Sequence, residues 1–145
     1  VLKGYAVHYQ TGKPIPDALM NKIRRARHFN QGFATTEYLA ASFLDLFWHS
    51  FDKVPAEIDV VAWEAEQMKA LGLIAEIVPR YRSTYVAHIF AGGYSPGDYR
   101  YIWSAVLDSD AFAAFEAKPD IFDQPTATAY RRHILSAGNT REPKP

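Results

Sequence analysis

The chain contains no cysteine. Neither a disulfide nor a thiolate nucleophile can operate in it, and cytoplasm and periplasm are equally compatible with that absence. Net charge is also missing, because 16 basic residues balance 16 acidic ones. No global field therefore favours nucleic acid or an anionic membrane. The one basic cluster, Lys22, Arg24, Arg25 and Arg27, reads as a solvated helix face rather than a phosphate site. No apolar run approaches the ~20 residues needed to cross a bilayer. The first residues lack the basic-then-apolar pattern of a signal peptide; if Val1 is an internal cut point, that says nothing of the parent protein. Nothing repeats internally, and no segment is low-complexity.

What remains is apolar and aromatic. Nearly half of the 145 residues are apolar and 14% are aromatic, enough for one domain over residues 1–145 to bury roughly two-thirds of its unfolded surface. The same content would leave apolar surface exposed where a missing lobe packs, which favours self-association.

The chain reads as mainly α. Residues 5–9 end a first helix, broken at Gly12-Lys13-Pro14. Pro16 suits a first turn, and Leu19, Ile23 and Ala26 form a stripe for a helix over 17–29. Thr35 is the expected N-cap of a long, buried helix running to Phe51. Asp59 caps the next, which ends near Gly72. Residues 74–78 are ambiguous between strand and extended loop, ahead of Pro79. Ile102, Trp103, Val106, Leu107, Ala114 and Phe115 trace one face of a helix of roughly five turns. Asp123 caps a last helix ending near Ser136, with Gly138 beyond it. A loose tail follows from Asn139.

The stretch with most chemistry is residues 88–101, HIFAGGYSPGDYRY. It gathers an imidazole, three phenols and a glycine pair just before an apolar helical pattern. Phenols and imidazole donate hydrogen bonds near pH 7, and glycines give the backbone freedom to close over a ligand. Such a loop can donate to a developing oxyanion. Tyr- and Gly-rich loops also occur as plain structural turns.

His88-Ile89-Phe90-Ala91-Gly92-Gly93-Tyr94, then Tyr99, Tyr101-Ile102-Trp103-Ser104 and Val106-Leu107-Asp108, resemble the C-terminal catalytic region of the thimet oligopeptidase family of zinc metallopeptidases. The likeness is greatest to bacterial peptidyl-dipeptidases and oligopeptidase A. It spans nearly the whole chain: Tyr9-Gln10-Thr11-Gly12 with Pro16-Asp17, Phe29-Asn30-Gln31-Gly32, Leu44-Asp45 with Trp48-His49, and Pro79-Arg80-Tyr81-Arg82-Ser83. Ile121-Phe122-Asp123, Gly138 and Arg141-Glu142-Pro143 close it.

The resemblance implies the helical C-terminal part of a zincin-like oligopeptidase catalytic domain. Its parent would be a zinc-dependent hydrolase, a cytoplasmic protease acting on short peptides and releasing C-terminal dipeptides; periplasm is not excluded. Family members hold zinc through a His-Glu-x-x-His helix and a later Glu, since histidines four apart share one helical face. Here His8, His28, His49, His88 and His133 include no such pair. The zinc ligands are therefore expected upstream of Val1 and a final helical stretch downstream of Pro145, so the isolated fragment is expected to be inactive without the rest of the catalytic domain.

By the same resemblance, Tyr101 matches the tyrosine that donates to the oxyanion, and Tyr94 a substrate-contacting tyrosine. His88 matches a histidine that touches substrate backbone and is not a metal ligand. Gly92 and Gly93 match the loop that closes over substrate, and Tyr99 belongs to the substrate-contacting motif. The bland alternatives are packed phenols, a core histidine satisfied by a carbonyl, and a tight turn. Asp98 departs from the family, which has a second tyrosine there; an ionised carboxylate cannot donate and would repel an oxyanion. Arg82, like Arg80, could pair with a substrate C-terminal carboxylate or form a structural ion pair. His49 reads as a core residue with Asp45 as its i−4 partner. From another functional class, a non-catalytic helical peptide-binding module also fits.

Overall fold

Helices α1 (Leu2–Tyr5), α2 (Asp17–Ala26), α3 (Gln31–Trp48), α4 (Val60–Ala70), α5 (Arg100–Glu116) and α6 (Gln124–Tyr130) follow one another along the chain. The computed structural model describes residues 1–140; Arg141, Glu142 and Pro143 lie outside the described residues. Among the described residues the extended structure is limited to a single antiparallel bridge, Val7–Pro14, so the mainly α class holds. No helix among them is long and apolar enough to cross a membrane.

Two helix starts are set by carboxylates, as the sequence predicts. Asp59 accepts from the Val61 and Ala62 N–H groups at 3.1 and 3.0 Å, opening α4. Asp123 accepts from the Thr126 N–H at 2.9 Å and from its hydroxyl at 2.6 Å, opening α6. Asp59 thus satisfies two orphan backbone donors at its helix N-terminus and Asp123 one.

Other boundaries move. The first helix stops at Tyr5, and residues 7–14 fold back instead, with Gly12 at φ 65. The Ile15 N–H donates to the Ala6 carbonyl at 2.8 Å and closes that turn. Helix α2 ends at Ala26, three residues before Phe29. Thr35 does not cap α3. Asn30 occupies that place at φ 56, a left-handed conformation that Asn tolerates better than most residues. The helix ends at Trp48, not Phe51, where the Ser50 hydroxyl donates to the Leu46 carbonyl at 2.6 Å. Residues 74–78 are neither strand nor helix, and an Ile77-to-Ile74 backbone bond of 3.0 Å makes them a turn. The last helix is regular only to Tyr130. Residues Arg131–Leu135 widen into a π turn, with Ser136 N–H reaching the Arg131 carbonyl at 2.8 Å.

The described residues divide into two compact units, one over Val1–Pro96 and one from Gly97 on. In the first, Ala40 and Leu44 of α3 meet Met68 of α4, with Phe47, Trp48, Trp63, Leu71 and Leu73 around them. Trp48 and Trp63 bring their ring centroids within 4.1 Å. In the second, Phe115 of α5 meets Tyr130 of α6 edge-on at 6.2 Å.

Candidate functional site

In the first unit His88 sits in a 3-10 turn, Ala87–Ile89. Ile89 and Val86 are buried on either side of it, whereas His88 itself is exposed. Gly92 and Gly93 then take φ of 77 and 75, the left-handed region open to glycine. They reverse the chain so that the Tyr94 ring comes back against the His88 ring, centroids 4.3 Å apart. A Cβ at Gly92 would meet the Tyr94 ring at 3.5 Å. The Ser95 hydroxyl donates to the Ile89 carbonyl and ties the end of the loop to the start. Imidazole and phenol are thus presented side by side, with Tyr94 40% exposed.

Phe90 anchors the loop on its other face. Its ring lies 5.9 Å from Trp48 and 5.6 Å from His49. His49 Nδ1 is 2.9 Å from the buried Asp45 carboxylate, the i−4 partner expected from the sequence. Further back, Glu64 of α4 is 2% exposed. One of its oxygens accepts from Arg82 Nε and the other from the Ser83 N–H at 2.7 Å. The Trp48 indole N–H donates to Ser83 Oγ at 2.8 Å. Sequence reasoning missed Glu64, because Glu66 two positions on is indistinguishable from it by pattern. Only its burial sets it apart.

Arg82 therefore forms an ion pair with Glu64. It also lines a cavity of about 320 Å³ with Met68, Leu73, Ile77 and Val78. Arg80 places its guanidinium 5.0 and 5.6 Å from the ring centroids of Tyr81 and Tyr38, within cation–π range.

In the second unit Tyr99 immediately precedes α5 and Tyr101 lies in its first turn. The Arg100 side chain donates to the Gly97 carbonyl at 2.8 Å and steadies the helix entry. Tyr101 is 47% exposed, so its phenol is not sealed in a core. Asp98, half-buried, accepts the Tyr101 backbone N–H through its carbonyl at 3.4 Å.

Among the described residues no three His, Cys, Asp or Glu side chains gather closely enough to hold a metal ion. The Asp45–His49 pair supplies two groups, one fully buried. A metal site does not fit the described residues.

The sequence comparisons place this helical chain among peptidases. It belongs to peptidase family M3, whose model matches residues 1–145. It is 38% identical over 143 residues to the dipeptidyl carboxypeptidase of Escherichia coli, covering 98% of this chain and 21% of that protein. It is 31% identical over 137 residues to oligopeptidase A of the same bacterium, covering 94% and 20%. A probable cytosolic oligopeptidase A of Arabidopsis thaliana is 33% identical over 150 residues, covering 98% and 21%. The chain thus spans about a fifth of the length of the relatives it matches.

Proposed function

We propose that this chain is the substrate-facing, C-terminal part of the catalytic domain of a larger zinc metallopeptidase that removes dipeptides from the C-termini of short peptides. The reading is supported above all by the pairing of His88 with Tyr94 across the Gly92-Gly93 reversal, in a chain matched end to end by a peptidase family. The zinc would be held by residues outside this chain, and when bound it supplies Lewis-acid chemistry at the scissile carbonyl. The compartment proposed is the cytoplasm.

What this chain's residues do follows from their donor chemistry. A carbonyl oxygen gains negative charge as its carbon becomes tetrahedral. The Tyr101 phenol donates a hydrogen bond that strengthens as that charge grows, which lowers the barrier rather than merely binding substrate. His88 and Tyr94 hold the peptide backbone. Gly92 and Gly93 let the loop close and exclude water, and Tyr99 extends the substrate-contacting surface. Asp98 cannot donate once ionised, so substrate contact on this stretch falls to the phenols. Arg82, beside an apolar cavity, or Arg80 would receive the free C-terminal carboxylate.

The test is hydrolysis of a peptide with a free C-terminus by the full-length protein, alongside its zinc content. Tyr101→Phe is expected to lower kcat by about 10²–10³ with KM little changed. An unchanged kcat would overturn the oxyanion role, and a full-length protein without zinc or hydrolysis would instead be a peptide-binding module. Amidating the substrate C-terminus should slow the wild type, and Arg82→Ala or Arg80→Ala should erase that preference. Equal discrimination in both variants and wild type would end the carboxylate role.

A further inference from the structure

The backbone-to-backbone hydrogen bonds donated by residues 85, 86, 90 and 91 are all local. Tyr85 and Val86 N–H groups donate to the Arg82 carbonyl at 3.0 and 3.1 Å, and Phe90 and Ala91 to the Ala87 carbonyl at 3.0 and 2.9 Å. These bonds shape two consecutive turns and leave their place on the helices to side chains. That place is set at both ends. At the start, Glu64 accepts from Arg82 Nε and the Ser83 N–H, while the Trp48 indole donates to Ser83 Oγ. At the end, Phe90 rests on Trp48 and His49. His88 lies between the two anchors.

Stability alone is a poor account of Glu64. Burying a carboxylate is costly, and a well-packed apolar side chain commonly serves stability as well as a buried ion pair does. What the carboxylate adds is direction. Its two oxygens, aimed at one guanidinium N–H and one backbone N–H, determine where Arg82 and Ser83 sit, and hence where the turns that follow begin.

We infer that Glu64 is a positioning residue for the peptidase reaction, acting through Arg82 and Ser83 to fix the turn that presents His88 to substrate. The inference rests on the role of His88 proposed above. Small displacements of a substrate-holding group are enough to slow a reaction by up to about 10²-fold.

The experiment is a double-mutant cycle in the full-length protein, using Glu64→Gln, His88→Ala and the pair, with the thermal midpoint and kcat/KM for a C-terminally amidated peptide as readouts, so that no substrate carboxylate is offered to Arg82. Gln keeps the shape and an acceptor but presents an amide N–H₂ where the arginine also donates. Glu64→Gln is expected to lower kcat/KM by about tenfold or more. In the His88→Ala background it should cost no more than about twofold, since the group it positions is gone. Multiplying losses would overturn the inference, because a purely structural Glu64 lowers activity whatever stands at 88. An unaffected His88→Ala enzyme would overturn the proposed role of His88 first, and the inference with it. If Glu64→Gln does not fold, Glu64→Asp, which keeps the charge but draws the carboxylate back by one methylene, is read against His88→Ala by the same criterion.

Discussion

Tyr94 and His88 show how much a loop motif depends on two residues that carry no chemistry. With φ of 77 and 75, Gly92 and Gly93 hold a conformation that costs an L-residue about 1–2 kcal/mol. Gly93→Ala is therefore expected to loosen the His88–Tyr94 stack and raise KM in the full-length protein, with a loss of about 1–2 kcal/mol in unfolding free energy. An unaltered KM would separate the reversal from substrate binding. Leu44, 1% exposed in the α3–α4 core, tests packing rather than chemistry. Leu44→Ala should cost about 2–5 kcal/mol in denaturant unfolding, and a smaller loss would mean that its surroundings collapse onto the gap.

Capping by short polar side chains governs the elements. Asp59→Ala removes both acceptor contacts at the start of α4 and should cost about 1 kcal/mol, read as a lowered thermal midpoint. Asp123 adds a pH dependence. The Thr126 hydroxyl, and then the Thr126 N–H, hold its carboxyl below the ordinary carboxylate value. A group depressed in the folded state adds stability that is complete above its unfolded value and fades as pH falls through the lower folded one. Acidification below about pH 4 should thus weaken α6 in the wild type, and Asp123→Ala should flatten that dependence in thermal melts. Identical pH profiles would remove Asp123 from the account. Capping was legible in sequence because a carboxylate ahead of an apolar run has few other local uses. The start of α3 was not, because the chain uses the backbone of Asn30 rather than the hydroxyl of Thr35, and no side-chain pattern announces a left-handed residue.

At the level of the whole molecule, apolar surface is the dominant unresolved quantity in each unit. Among the described residues α5 buries no side chain, and Trp103 is 66% exposed and Leu107 58%. These two side chains lie one turn apart on α5, and exposed apolar side chains on one helix face favour association. The isolated chain is expected to self-associate as its concentration rises, visible as a growing sedimentation coefficient. A monomer at all concentrations would leave that surface without an explanation in association.

The mainly α class, two helix caps, the Asp45–His49 pair and the phenol-rich loop could all be read from residue order, because each depends on neighbours within a few positions. The resemblance to a peptidase family was legible for the same reason, as a sequence of short motifs in order. Long-range geometry was not legible. That Glu64 is buried while Glu66 is not, that Arg82 turns to it, and that Phe90 is held by Trp48 and His49 all join positions far apart in the chain. Periodicity carries no information about such pairs, since a carboxylate's partner is chosen by how the helices pack and not by its place along either one.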